Sequence, residues 1–475
     1  MSVKNMECFH EEEETLEPMS PSAQYLKSSA LSLSILGVME FELPIDDSMT
    51  MQLLRDVFLP VNPRFSSIMV TDKGVKKWKK VDVNLEEHVT VPNLPSDMSI
   101  DFYDEFFTNY LSKLAMEEFL PNRPLWEIHI FKYPTKNSAG NVIFKLHHSL
   151  GDGYSLMGAL LSCLQRVDNP LLPLTFPSRK STSKDHGTGR GYGFLRCVPK
   201  FFSGLTYTVY DFGWNIFKSN LIQDEVSPIR SGVDGVEFRP IVTCTTTFSI
   251  DRMRHIKTKL NVTLNDVITG IITYGTRLYM QKTSKEYGEA KCTSLVLFNT
   301  RAIGGYQSVN EMIKPGSETP WGNRFAFLLV SIPKLTKKDE SDSPLIFIKK
   351  AHKLIKRQKN SAAVHLTGQL LNLIRKIRGP EATAEYIHGT LKNTSMAISN
   401  VIGPVEQMAL VGQPVKGMYF AVAGPPQSLS VTLVSYVGTL RIAMTMEKDF
   451  MDPNKFKSCI EYAFESIYSA ALDSP

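Results

Sequence analysis

His147-His148-Ser149-Leu150-Gly151-Asp152-Gly153 is the stretch from which the fold of this chain is read. Upstream, Val142-Ile143-Phe144-Lys145-Leu146 has the apolar pattern of a strand. Downstream, from Ser155 on, Leu156, Met157, Leu160, Leu161 and Leu164 fall on one helical face. The motif therefore sits between a strand and a helix. A histidine held at a strand end by a tight turn can take a proton near neutral pH. Asp-Gly suits such a turn, because glycine tolerates backbone angles that a Cβ forbids. A core histidine pair followed by an ordinary turn is the plainer reading of the same residues.

Working outward, the chain has 475 residues, 43% of them hydrophobic, enough for two domains rather than one core. Its formal net charge of +5 is too mild for a nucleic-acid binder. It suits a surface that meets anionic headgroups or a phosphate-bearing cofactor. The cysteines are Cys8, Cys163, Cys197, Cys244, Cys292 and Cys459. None forms a CxxC pair and no His/Cys cluster has zinc spacing, so no metal is expected and the thiols are read as reduced. The acidic run Glu11–Glu14 does not fit a secretory signal, and the sequons at Asn261 and Asn393 are read as chance matches.

Residues 1–20 are expected to be a disordered acidic terminus, and 21–167 a first lobe carrying the histidine motif. Residues 168–235 are expected to be a linker followed by an aromatic segment, and 236–475 a second lobe. Strands are expected at Leu31–Phe41, Trp126–Phe131 and Val142–His147 in the first lobe. In the second they are expected at Val242–Phe248, Ser294–Phe298, Phe325–Ile332, Met396–Asn400, Leu429–Val437 and Leu440–Met446. No long uninterrupted apolar run marks a membrane span. Phe194–Phe217 is aromatic but broken by Arg196, Pro199, Lys200 and Asp211. It reads as a segment lying in a membrane interface or as a buried irregular helix between domains. A basic stretch on a helix, Lys349 to Lys359, reads as a solvated face, with contact to anionic lipid or coenzyme A phosphates as the alternative.

Several segments together resemble one family. They are Glu17-Pro18-Met19-Ser20-Pro21, Pro124-Leu125-Trp126-Glu127, the histidine motif, Asn265-Asp266-Val267, Trp321-Gly322-Asn323 and Ser399-Asn400-Val401-Ile402-Gly403-Pro404. In that order they are similar to the plant-type wax ester synthase/diacylglycerol acyltransferases. The string Asp211-Phe212-Gly213-Trp214 is misplaced for the plant BAHD acyltransferases, which share the histidine motif. The resemblance implies a mixed α/β (α+β) fold of two chloramphenicol-acetyltransferase-like lobes with a substrate tunnel between them. It implies an O-acyltransferase that moves a fatty acyl group from acyl-CoA to a long-chain alcohol, with diacylglycerol as a second acceptor. An acyltransferase for short or phenolic acceptors and a non-catalytic lipid-binding relative are the competing readings. No permanently bound cofactor is expected, and acyl-CoA enters as substrate. The expected setting is a membrane surface, the cytosolic face of the endoplasmic reticulum or the plasma membrane, without nucleic acid.

The same resemblance assigns roles. His148 is the candidate base that takes the acceptor hydroxyl proton. His147 supports the strand end or is itself the base. Asp152 holds the turn, against an arginine elsewhere in the chain. Gly153 keeps space open above the histidine. Asn265 and Asp266 open a helix, where Thr263 and Asp266 have capping-box spacing, or they shape the site from the second lobe. Ser399 and Asn400 end a strand and could donate to a tetrahedral oxyanion. Trp126 is a core aromatic or a tunnel contact.

Overall fold

Alternation decides which face of each strand meets the core. In Gly140–His147, Ile143 and Lys145 are buried on one side while Phe144 and Leu146 face the other. The computed structural model describes residues 16–175, 212–213, 216–218, 221–301, 309–314, 316–317, 320–335, 344–361 and 363–473. Gly140–His147 pairs antiparallel with Ser34–Phe41, Ser34 opposite His147, and with Trp126–Phe131, Trp126 opposite Leu146. These three strands centre a seven-stranded sheet. Its order is Val89–Thr90, Trp126–Phe131, Gly140–His147, Ser34–Phe41, Gln413–Ala423, Met408–Leu410, Gln165–Arg166. Helix Ile100–Met116, capped by Ser99, lays Tyr103, Phe107, Leu111 and Leu114 on one face, against Leu36, Val38, Phe131 and Ile143. The motif helix Gly153–Ser162 lies on the other face, with Phe58, Phe65, Trp126, Leu156, Met157 and Leu161 in one cluster.

The second sheet has six strands, ordered Phe325–Ser331, Thr293–Asn299, Met396–Ile402, Leu429–Tyr436, Thr439–Glu447, Ile241–Ser249. Helices Ile250–Leu260, Leu264–Thr283 and Pro453–Leu472 cover one face and bury Ile268, Ile272, Phe456, Ile460 and Phe464. Near the other face runs Ala363–Lys392, two helices joined at Gly379, whose φ is +87°. A side chain would strain that backbone, and Pro380 then starts the second helix where its missing N–H costs nothing. Ala384, Ile387 and Leu391 of this second helix pack with Leu26, Leu31 and Leu33 of the first lobe and Leu295 and Leu329 of the second sheet.

The two sheets exchange chain. Gln413–Ala423 belongs to the first sheet and the next strand, Leu429–Tyr436, to the second. The Thr432 hydroxyl donates to the Phe420 carbonyl across this crossing, and Arg441 Nη2 meets Glu40 Oε1 at 2.7 Å between the sheets. A division at residues 167 and 236 therefore leaves Met408–Ala423 on the far side from the sheet it completes. That segment escapes the alternation rule because Val415-Lys416-Gly417-Met418-Tyr419-Phe420 has no clean period and carries a bulge between Val415 and Gly417.

Three other expectations change. The terminus expected to be disordered through residue 20 is structured from Leu16. Leu16–Pro18 pairs with Val75–Lys80, Met19 is buried, and Ser20 caps helix Pro21–Leu26. The linker expected through 235 ends in a strap built into the second lobe. There Asp224 meets Lys218 Nζ at 2.5 Å and accepts from the Thr293 N–H and the Ser395 hydroxyl, because a buried carboxylate must find cations and donors. Phe194–Phe217 lies outside the described residues except Phe212, Gly213, Ile216 and Phe217. Among the described residues no helix is long and apolar enough to cross a membrane.

Candidate active site

The histidine pair is fixed by the backbone before any side chain acts. His147 N–H donates to the Leu125 carbonyl at 3.0 Å and His148 N–H to the Leu33 carbonyl at 2.9 Å. Leu150 N–H closes a turn on the His147 carbonyl at 3.0 Å. The chain then enters helix Gly153–Ser162 with Asp152 as N-cap, its Oδ1 accepting from Ser155 N–H at 3.0 Å.

Hydrogen bonding separates the two imidazoles. His147 is fully buried. Its Nδ1 accepts from the Ser149 backbone N–H at 3.1 Å, so the proton must sit on Nε2, which faces the Ser32 hydroxyl at 3.2 Å. Both nitrogens are occupied by structure. Burial, with the Lys27 charge next, holds its pKa well below 6.5.

His148 has the opposite tautomer. Asn323 Nδ2 donates to the His148 carbonyl at 2.9 Å, and a carbonyl can only accept. The Asn323 Oδ1 therefore faces His148 Nδ1 at 2.9 Å and requires a proton there. Nε2 is left as the basic nitrogen of a ring that lines a large cavity. Phe325 meets the ring edge to face, with centroids 5.6 Å apart. Burial lowers the His148 pKa, while its own backbone hydrogen bond, the Asp152 charge and Asn323 pull the other way. The ring is thus held neutral at pH 7, the form a general base needs.

Asp152 does not touch His148 in the manner of a triad. Its Oδ2 meets Arg301 Nη1 at 2.7 Å and accepts from Arg324 N–H at 2.8 Å, and its Oδ1 meets Arg301 Nη2 at 3.2 Å. Arg301 also donates to the Gly322 carbonyl at 2.6 Å and the Pro320 carbonyl at 3.0 Å. Trp321 Nε1 reaches back to the Leu150 carbonyl at 2.8 Å. Asp152 and Arg301 therefore clamp the motif turn of the first lobe to the 320–325 segment of the second, which carries Asn323. A buried, forked, charge-assisted pair fixes geometry well.

The structure relocates several of the remaining expectations. Gly153 lines the cavity with His148, and an added Cβ there would lie 2.6 Å from Val401 Cγ2, so glycine also permits close approach of strand Met396–Ile402. Trp126 is a core residue and not a cavity contact. It is fully buried, donates from Nε1 to the Phe65 carbonyl at 2.8 Å, and stacks on His88 at 4.2 Å. Phe58 and Phe65, packed around it, do line the cavity. Thr263 and Asp266 form a complete capping box, and Asp266 Oδ2 meets His352 Nδ1 at 2.7 Å. Ser399 lines the cavity while Asn400, its neighbour on the strand, bonds Asn265 at 2.9 Å. Adjacent strand residues point to opposite faces, so the two cannot serve one oxyanion together. Asn265, Asp266 and Asn400 are absent from the cavity lining.

The cavity occupies about 250 Å³ between the two sheets. Met39, Phe58, Phe65, Phe144 and Met157 line its first-lobe side, and Leu295, Phe327, Leu371, Ile387 and Leu391 its second-lobe side. Polar groups are few, among them His148, Ser399, Thr432, Tyr386 and Gln427. A base embedded in apolar walls can deprotonate a hydroxyl delivered on a long hydrocarbon chain. Sequence reasoning assigned no role to Asn323 or Arg301. The Trp-Gly-Asn string marked Asn323, whereas Arg301 carried no local signal.

Residues 58–268 match the wax ester synthase/diacylglycerol acyltransferase catalytic domain, and residues 321–468 match the WS/DGAT C-terminal domain. The chain is 27% identical to wax ester synthase/diacylglycerol acyltransferase 4 of Arabidopsis thaliana, over 97% of this chain and 91% of that protein. It is 28% identical to number 6 of the same plant, over 98% and 95%. Its fold is similar to that of the wax ester synthase/diacylglycerol acyltransferase from Marinobacter aquaeolei VT8, with TM-score 0.59 and 17% identity, covering 96% of this chain and 100% of that one. It is also similar to the starter condensation domain of rhizomide synthetase RzmA in complex with C8-CoA, with TM-score 0.55 and 10% identity, covering 97% and 95%.

Proposed function

The chain belongs to the wax ester synthase/diacylglycerol acyltransferase family, a family of acyltransferases, and on that premise we propose that it joins a fatty acyl group from acyl-CoA to a long-chain alcohol, with diacylglycerol as a second acceptor. The observation that carries this reading is the His148 Nε2 lone pair, set by Asn323, in a cavity walled by apolar side chains. The acceptor O–H gives its proton to Nε2 as its oxygen attacks the thioester carbonyl. The tetrahedral intermediate collapses, the C–S bond breaks, and the imidazolium returns the proton to the departing thiolate. No enzyme-bound ester forms. Ser399 is one of the cavity-lining hydroxyls that could donate to the oxyanion, where one good donor is worth roughly 3–4 kcal/mol.

Acyl-CoA acts as a substrate in this scheme, with no resident cofactor. Short or phenolic acceptors leave most of the apolar wall uncovered, which disfavours that reading. A non-catalytic lipid binder has no need of a base whose tautomer is fixed from the opposite lobe. Because the alcohol and ester are insoluble in water and CoA is not, the work is done at a membrane surface, the cytosolic face of the endoplasmic reticulum being the setting that supplies both. The test is expression in cells that lack neutral lipid, fed a fatty alcohol, followed by extraction and separation of the esters. New wax ester is expected from the unaltered chain and none from His148→Ala. Equal ester from both would remove His148 from the chemistry, and ester only with short alcohols would replace the acceptor class.

A further inference from the structure

The first part of Ala363–Lys392 presents an apolar stripe that is partly exposed among the described residues. Leu366, Leu370, Leu373 and Ile377 recur at a helical period and fall on one side. Leu373 is 53% exposed and Ile377 73% exposed, and Leu366 and Leu370 are half-buried. Another side of the same helix carries Thr367, Gly368 and Leu371, which line the cavity holding His148. One helix is thus both a wall of the candidate active site and an exposed apolar surface. Surface helices of globular proteins usually turn such a stripe inward.

Charge adds a second, independent observation. From Ala363 to Pro380 the stripe-bearing helix carries Arg375, Lys376 and Arg378 and no Asp or Glu. Lys376 and Arg378 are exposed and flank the stripe, whereas helix Leu345–Asn360, with its lysines, packs on the other face of the second sheet, Ala351 and Ile355 against Leu328 and Val330. Basic residues beside exposed Leu and Ile side chains, with no acid on the same stretch, are the pattern of a helix that lies in a headgroup layer.

We propose that this stripe, with the basic residues around it, seats the protein on an anionic lipid bilayer and places the cavity wall against the membrane. The inference rests on the reading that the acceptor is a lipid and specifies where that lipid arrives. An acceptor leaving the bilayer beside Leu373 and Ile377 has only the thickness of one helix to pass before it meets Leu371 and the cavity.

The test uses the full chain, co-sedimented with phosphatidylcholine vesicles with and without phosphatidylserine. Leu373→Ser/Ile377→Ser, both exposed positions, should fold normally and lose on the order of tenfold or more in vesicle partition. Lys376→Gln/Arg378→Gln should weaken binding to the anionic vesicles alone. Turnover of a short soluble alcohol should be unchanged in both variants, while turnover of a vesicle-borne long-chain alcohol falls. Unchanged vesicle binding in the Ser variant would overturn the proposal, as would an unaltered chain that does not bind vesicles. A dimer that the Ser substitutions convert to a monomer would also overturn it, since a second copy would then cover the stripe. If vesicle binding falls as expected but no alcohol is esterified, the surface stands and the acceptor reading fails.

Discussion

Asn323 offers the sharpest test of the site, because it touches His148 twice and belongs to the other lobe. Asn323→Ala removes the acceptor of the His148 Nδ1 proton and the donor to the His148 carbonyl, each now at 2.9 Å. Losing the partner of a buried polar group costs about 1–3 kcal/mol. If that loss falls on the orientation and tautomer of the base, kcat drops about 5- to 150-fold, at 1.36 kcal/mol per tenfold. A loss of stability alone would lower the melting temperature and leave turnover per folded molecule intact. The pH profile separates these outcomes. Burial already holds the His148 pKa below 6.5, and the Asn323 hydrogen bond partly opposes that. Asn323→Ala should therefore move the acid limb of kcat/KM to lower pH. Asn323→Asp sets a carboxylate beside Nδ1 and should move the limb up, by about 1–3 units when ionised. The second variant should then be slow at pH 7 and recover as pH rises. Limbs that coincide for both variants and the unaltered enzyme, with kcat unchanged in Asn323→Ala, would refute the assigned link between Asn323 and the base.

Other outcomes follow from the same geometry. His148→Ala should reduce ester formation by roughly 100- to 10,000-fold with an unchanged melting temperature; near-normal turnover would return the base to His147. His147 is buried neutral, so its stabilising contribution is full above pH 6.5 and is lost as pH falls toward its depressed folded value. His147→Gln should flatten the acid side of a stability-versus-pH curve, and an unaltered slope would contradict that. Asp152→Ala strands the Arg301 guanidinium, whose side chain is 1% exposed, and should cost about 3–5 kcal/mol in denaturant melts; a fully stable but inactive variant would place Asp152 in the chemistry instead. Gly153→Ala should cost about 1–3 kcal/mol by driving a Cβ into Val401, with Val401→Ala restoring most of it. Failure of that rescue would mean the glycine is needed for another reason.

Local pattern was enough to place the strands around the motif and the helix after it, because alternation and helical period are properties of adjacent residues. Strand Gly140–His147 begins two residues before the expected start and ends at the expected residue, and Trp126–Phe131 stands as read. The Thr263–Asp266 capping box is equally local and was read from spacing alone. The strand Gln413–Ala423 was missed because its order of burial answers to two sheets at once and to a bulge.

What the sequence by itself determined is the motif, its place between a strand and a helix, and the string of segments that identify the family. What only the tertiary structure decided is which histidine can act. His147 and His148 are adjacent and chemically identical, and their opposite tautomers come from Ser149 and Ser32 on one side and Asn323 on the other. Arg301 lies 149 residues from Asp152 and Asn323 lies 175 from His148, so neither pairing leaves a periodic trace in the chain. The same holds for Gly153, whose lack of a side chain is explained by Val401 of the opposite lobe. Hydrogen-bond direction and van der Waals contact act over a few ångströms in space, and only folding brings such distant residues within that range.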